Sequence, residues 1–168
     1  MSNNFKDSFE KSRIAGNIAA GALDEVSKII KPGIRTSEID NICYNYISDH
    51  GAYSAPLFYR GFPKSCCTSA NHVVCHGIPS DKILNSGDII NVDVTALKDG
   101  WHGDTSRTFE IGEVSIKAKK LVRVTHEAMM KAIEIIKEDI RLGDIGSTIQ
   151  NHVEAEGFSV VQDFCGHG

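Results

Sequence analysis

The sequence predicts an α+β fold, and three features of its 168 residues predict it. Apolar residues recur at helical spacing toward both ends of the chain. Between them, from Ala52 to Ile111, short β-rich runs alternate with turn residues. The third feature is an internal repeat. Shifted as a block, the segment from Ile29 to Gly51 falls on Ile135 to Gly157, with Ile29/Ile135, Lys31/Lys137, Ile34/Ile140, Arg35/Arg141, Ile39/Ile145, Asn45/Asn151 and Gly51/Gly157 identical. A helix–turn–helix followed by a strand thus reads as occurring twice. About sixty residues of strands and turns follow the first copy and eleven follow the second, which reads as a second half cut short.

Each element has its own signal. Residues 7–30 form an amphipathic helix, with Ile14, Ile18, Ala22 and Val26 four apart, stopped by Lys31-Pro32-Gly33. A second helix starts near Thr36-Ser37, where either hydroxyl is a candidate N-cap, and ends at Gly51 in a left-handed cap. The β-rich middle is punctuated at Pro63, Gly77-Ile78-Pro79, Ser86-Gly87-Asp88 and Lys98-Asp99-Gly100. Helix returns over 115–138 and 143–156, and Phe158-Ser159-Val160-Val161 opens a further strand.

Composition narrows the function classes. Apolar residues are 41% and charged residues 24%, with 15 glycines and 4 prolines, so disordered and low-complexity classes are excluded. One domain of this length buries a core without disulfide staples. A net charge of −4 with no basic run argues against a nucleic-acid-binding motif. Apolar stretches fall far short of the ~20 residues of a membrane span, and Met1 to Asp7 lacks the basic and apolar regions of a signal peptide. The odd count of 5 cysteines, two of them adjacent at Cys66-Cys67, reads as free thiols in a reducing cytoplasm.

Two acids stand out. Asp93 lies within the apolar run Asn91-Val92-Asp93-Val94-Thr95, although Asp is depleted in strands. A turn then leads into Trp101-His102-Gly103-Asp104. A four-residue loop places Asp93 opposite Asp104, and a three-residue loop separates them unless a bulge at Gly103 restores the register. Carboxylates on one face repel each other, and a divalent cation between them reverses the sign. The bland alternative has Asp93 in solvent and Asp104 in a turn contact. Among the histidines, His76 leaves an apolar strand at a turn and His167 lies between glycines, whereas His50, His126 and His152 read as structural. There is no P-loop, dinucleotide fingerprint, Gly-x-Ser-x-Gly elbow or zinc-finger spacing.

The runs Asn71-His72-Val73-Val74-Cys75-His76-Gly77-Ile78-Pro79, Asn91-Val92-Asp93-Val94-Thr95, Asp99-Gly100-Trp101-His102-Gly103-Asp104-Thr105-Ser106 and Val153-Glu154-Ala155-Glu156-Gly157-Phe158-Ser159-Val160-Val161, with Cys165-Gly166-His167-Gly168, resemble the type I methionine aminopeptidases in order and spacing. The resemblance covers nearly the whole chain from Asp7. It implies the pita-bread fold, a pseudo-two-fold α+β architecture, here one catalytic domain over 1–168 incomplete at its C-terminus. It also implies two divalent metal ions (Co, Mn, Fe or Zn), with Asp93 on one, Asp104 bridging both and His167 on the other. His76 is implied to hydrogen-bond the substrate, and Tyr59, Phe62 and Cys67 to line the methionine pocket. The carbonyls of Asn71 and Val73 fall where a monovalent cation is held.

Two glutamate ligands and a second histidine are expected beyond Gly168. The sequence is therefore either a piece of a longer gene product or a natural truncation, and in either case inactive by itself. The activity implied is removal of the initiator methionine in the cytoplasm, by an enzyme that is monomeric at full length. Nascent polypeptide N-termini and the ribosome are the implied partners. A proline-specific pita-bread peptidase and a non-catalytic peptide-binding module are the rivals. The Val74-Cys75-His76-Gly77-Ile78-Pro79 run argues against the first, and retention of Asp93, Asp104 and His167 against the second.

Overall fold

Helix α1 (Asn3–Ile29) buries Ala15, Ile18, Ala19, Ala22, Leu23 and Val26 at three-and-four spacing, whereas Ile14, the expected first member of the stripe, is 40% exposed. Helix α2 (Thr36–Asp49) buries Ile39, Cys43 and Ile47 against the same core. Its N-cap is neither of the expected hydroxyl residues. Arg35 holds that position, its backbone N–H donating to Glu38 Oε2 at 2.8 Å. Thr36 lies buried in the first turn, and its hydroxyl is taken by Ser80, donating to the carbonyl at 3.0 Å and accepting from the N–H at 2.9 Å.

The sheet has four antiparallel strands, β1 (Tyr53–Ser54), β2 (Cys67–Ala70), β3 (Ile89–Lys98) and β4 (Trp101–Glu110). Strand β3 is central: β1 and β2 share one of its edges and β4 takes the other. Ile90, Val92, Val94 and Ala96 alternate into the core beneath α1, so the odd-numbered residues of β3 lie on the opposite face. The β3–β4 loop corrects both expected lengths. Lys98 pairs with Trp101, leaving Asp99 and Gly100 at φ +50° and +83°, a two-residue turn with both central residues left-handed. Gly103 is no bulge, for it pairs regularly with Ala96. Its role is close approach: a Cβ there would fall 2.2 Å from the Ala15 carbonyl carbon.

The computed structural model describes residues 3–166, and these separate after Val114 into two compact units. In the second, α3 (Ile116–Glu134) is capped by Ser115, whose Oγ accepts from the Ala118 N–H at 3.1 Å. It ends before the expected 138, and α4 (Leu142–Ala155) follows. Residues 158–161 form no strand, contrary to expectation. Their β propensity is real, but a strand is completed by a neighbour that pairs with it, and none among the described residues does.

The repeat is visible in three dimensions. Helices α2 and α4 occupy matching positions of the two copies, residue for residue. Arg141 N–H donates to Asp144 Oδ2 at 2.9 Å as Arg35 does to Glu38. At the other end the His50 and Glu156 amides reach Tyr46 and His152 carbonyls, both at 3.3 Å, and Gly51 and Gly157 follow at φ +63° and +80°. Burial differs between the copies. Ile39, Cys43 and Ile47 are fully buried, whereas their counterparts Ile145, Ile149 and Val153 line an apolar groove of about 350 Å³ against α3.

Candidate functional site

The register of β3 settles where the two acids stand. Asp93 pairs with Cys67 on one side and Ser106 on the other, while Asp104 pairs with Thr95. Residues 93 and 95 share a face, as do directly opposed residues, so Asp93, Asp104 and Cys67 all lie on the face turned away from α1. The acids are diagonal rather than directly opposed, with the Cα separation of about 7–8 Å general for such pairs. Asp93 is half-buried and Asp104 exposed. Thr95 Oγ1 donates to Asp104 Oδ1 at 3.0 Å, and Asn91 Nδ2 donates to Ser106 Oγ at 3.3 Å and to Thr108 Oγ1 at 3.2 Å. One hydroxyl thus holds the Asp104 carboxylate, and the same face carries the polar side chains of Asn91, Ser106 and Thr108.

The electrostatics of this face are negative. Burial, then the charge of Asp93, then Cys75 and Asp104, push the Cys67 thiol up to about 12. Crowded carboxylates with hard oxygen donors are the chemistry a divalent cation stabilises, so the pair fits part of such a site. It is part only. Among the described residues no three His, Cys, Asp or Glu side chains are grouped so as to hold a metal ion, and His167, the third expected ligand, lies outside the described residues.

His76 lies in an irregular segment rather than at the end of the expected strand, since residues 73–75 form none. It is exposed and left-handed at φ +54°, a conformation a non-glycine residue keeps only when its neighbours impose it. Gly77 is that neighbour. Its carbonyl accepts from the Thr68 N–H at 2.7 Å and its N–H donates to Ser69 Oγ at 3.1 Å. A Cβ on Gly77 would lie 2.2 Å from the Thr68 carbonyl oxygen, so only glycine lets this segment cross β2 so closely. Ser69 pairs with Asn91 and belongs to the face of the acids, which brings His76 beside that face.

Tyr59 and Phe62 lie on the loop between β1 and β2, Tyr59 exposed and Phe62 half-buried, with Arg60 stacked 5.5 Å over the Tyr59 ring. Phe58 and Arg60 are both left-handed. Asn71 is left-handed too and is tied to the start of β3, its Nδ2 donating to Asp88 Oδ1 at 2.8 Å and its Oδ1 accepting from Ile89 N–H at 3.1 Å. His50, expected to be structural, stacks on Tyr46 at 4.2 Å. His152 lies between Lys131 at 2.8 Å and Glu127 at 3.1 Å.

Sequence reasoning missed two residues that shape this region. Thr95, the hydroxyl on Asp104, gives no signal in the sequence beyond its alternation with Asp93. Asp40, 5% exposed, accepts from the Ser65 and Cys66 amides at 2.8 and 3.2 Å. A signal for it existed: it falls three and seven residues before Cys43 and Ile47, so a charge interrupts the apolar stripe of α2.

Comparison with known proteins gives a consistent result. The profile of metallopeptidase family M24 matches residues 10–168. A methionine aminopeptidase of Rickettsia prowazekii is 53% identical over 160 residues, which are 95% of this chain and 62% of that protein. The Escherichia coli K12 methionine aminopeptidase is 51% identical over 164 residues, 96% of this chain and 62% of that one. The chain therefore spans somewhat under two thirds of these relatives. A crystal structure of the Rickettsia prowazekii protein superposes with a TM-score of 0.94 at 52% identity, covering 97% of this chain and 66% of the other. An Xaa-Pro dipeptidase from Bacillus anthracis superposes with a TM-score of 0.79 at 22% identity, covering 90% and 41%, which shows a shared pita-bread fold and no more.

Proposed function

The chain belongs to metallopeptidase family M24, and on that premise we propose that the whole protein removes the N-terminal methionine of nascent polypeptides. The observation that carries the reading is the placing of Asp93 and Asp104 on one face of β3–β4, in a chain 53% and 51% identical to relatives that are named methionine aminopeptidases. The proline-specific reading is supported only at the level of fold, at 22% identity.

In this reading Asp93, Asp104 and His167 hold two divalent cations (Co, Mn, Fe or Zn), together with ligands from outside residues 1–168. Such a pair of cations supplies a water of lowered pKa and polarises a carbonyl when bound. The chain's own residues do the rest. Thr95 orients the Asp104 carboxylate through its hydrogen bond. His76 donates an N–H to the substrate carbonyl oxygen as negative charge grows there. Tyr59, Phe62 and Cys67 form the wall that receives an unbranched thioether. Burial, the largest cause that raises its pKa, keeps Cys67 a neutral thiol at pH 7, so that wall carries no competing thiolate. The carbonyls of Asn71 and Val73 hold a monovalent cation.

The repeat extends the proposal. The groove lined by Ile145, Ile149 and Val153 matches Ile39, Cys43 and Ile47, which in the first copy pack into one core with Ile90, Val92 and Val94 of β3, and in the whole protein further strands cover the groove, completing a single catalytic domain. The whole protein is expected to work as a monomer in the cytoplasm, near the ribosome where nascent N-termini emerge, and five free thiols fit a reducing compartment. The test is hydrolysis of a Met-Ala-Ser peptide by the purified whole protein. Asp104→Asn is expected to abolish turnover, and His76→Ala to lower kcat on the order of 10²–10³-fold with folding intact. A metal-loaded whole protein that leaves N-terminal methionine in place would overturn the reading.

A further inference from the structure

We propose that Asp40 is the positioning residue of the side-chain pocket: its buried carboxylate clamps one end of the 56–64 loop and so sets where Tyr59 and Phe62 stand. The role rests on the peptidase reading above.

Asp40 projects from α2 toward the segment that closes the loop. Oδ1 accepts from the Ser65 N–H at 2.8 Å, from the Ser65 hydroxyl at 2.6 Å and from the Cys66 N–H at 3.2 Å. Lys64 Nζ stands 3.5 Å from Oδ2. One ionised group thus takes three donors and a cation from three consecutive residues, and hydrogen bonds to an ionised acceptor are the strong kind. The carboxylate is 8% exposed, so the bonds are shielded from water.

The loop between is under tension. Phe58 and Arg60 are left-handed at φ +66° and +48°, conformations that cost a non-glycine residue free energy and persist only where the surroundings over-determine them. The loop's own turns contribute, with Phe58 N–H donating to the Phe62 carbonyl at 2.7 Å. Its two ends contribute the rest. The first is tied to the sheet, where β1 pairs with β3 and Ala55 N–H donates to the Thr95 carbonyl at 2.9 Å. The second has no strand partner until Cys67, and Asp40 holds it instead. The clamp acts on both sides of Ser65. Phe62 lies three residues before it, and Cys67 follows two residues after it, directly opposite Asp93. Pocket wall and acid face are therefore brought into fixed relation by one carboxylate that touches neither.

Asp40→Asn keeps the shape but loses the charge, and Asp40→Ala leaves the donors of Ser65 and Cys66 orphaned. In the whole protein, Asp40→Asn is expected to raise KM for Met-Ala-Ser about tenfold with kcat within twofold, and to narrow the preference for methionine over leucine at the N-terminus. Amide exchange over 56–64 is expected to quicken at least tenfold while β3 is unchanged. A side chain that merely braces α2 predicts otherwise. Lowered thermal stability with KM, kcat and side-chain preference unchanged would overturn the proposal, as would unaltered exchange over 56–64. If Asp40→Ala fails to fold, Asp40→Asn and Ser65→Ala carry the same measurements. A wild-type whole protein without activity on methionine peptides would sink the peptidase reading and the pocket role with it, whereas exchange over 56–64 still decides the clamp.

Discussion

Thr68 carries an atom that the sheet does not accommodate. Its Oγ1 is buried with no hydrogen-bond partner among the described residues, on the core side of β2 opposite Val92. An orphaned hydroxyl costs more than its absence, so Thr68→Val, of nearly the same shape, is expected to raise stability by about 1 kcal/mol in urea unfolding. Asp88 shows the reverse, a carboxylate well supplied with donors. The Asn85 N–H and then the Asn71 side chain hold its carboxyl below the usual value of 3.8. A carboxyl whose folded pKa is depressed contributes stability above its unfolded value and loses it as pH falls through the folded one. Wild type is therefore expected to lose stability relative to Asp88→Asn on acidification below about pH 4, with the difference flat above pH 5; parallel curves down to pH 2 would contradict this.

At the scale of elements, the β3–β4 hairpin is the part on which the site depends. Its two-residue turn makes the register even between Asp93 and Asp104, and a loop longer by one residue would send one acid to the core side. The hairpin in turn depends on α1 lying close across Gly103. Gly103→Ala would drive a methyl into the backbone of Ala15 and Gly16, and overpacking of this kind costs about 2–3 kcal/mol. The expected outcome is a lower melting temperature and quicker exchange in both α1 and β4. An unchanged melting curve would show that the helix slides aside freely.

For the molecule as a whole, the two copies of the repeat are unequal in what covers them. Met129, Ile133 and Ile136 are 49%, 51% and 60% exposed along the α3–α4 groove, whereas in the first copy Leu23, the counterpart of Met129, is fully buried in the core. Exposed large apolar side chains gathered along one groove favour association. The purified 168-residue chain is expected to bind a hydrophobic dye and to sediment as a concentration-dependent oligomer. Ile133→Lys with Ile149→Lys is expected to return it to a monomer. Monomeric, dye-free behaviour of the wild-type chain at high concentration would refute this.

What the sequence determined by itself is whatever rests on period and on short runs. The stripe of α1, the alternation of β3, the break at Lys31-Pro32-Gly33 and the anomalous acid at Asp93 are all local, because side-chain direction follows directly from helical or strand spacing. The repeat was legible for the same reason, and so was the family, whose motifs are continuous in the chain. What only the tertiary structure decided depends on partners far away in sequence. Ser80 took the hydroxyl of Thr36, Thr68 and Ser69 fixed the segment of His76, and Ser65 and Cys66 gave the buried Asp40 its purpose. Residues 158–161 show the converse, a run with strand composition and no strand. A helix satisfies its backbone from within, but a strand, a turn register or a buried carboxylate is completed by another part of the chain, and a linear reading cannot weigh that partner.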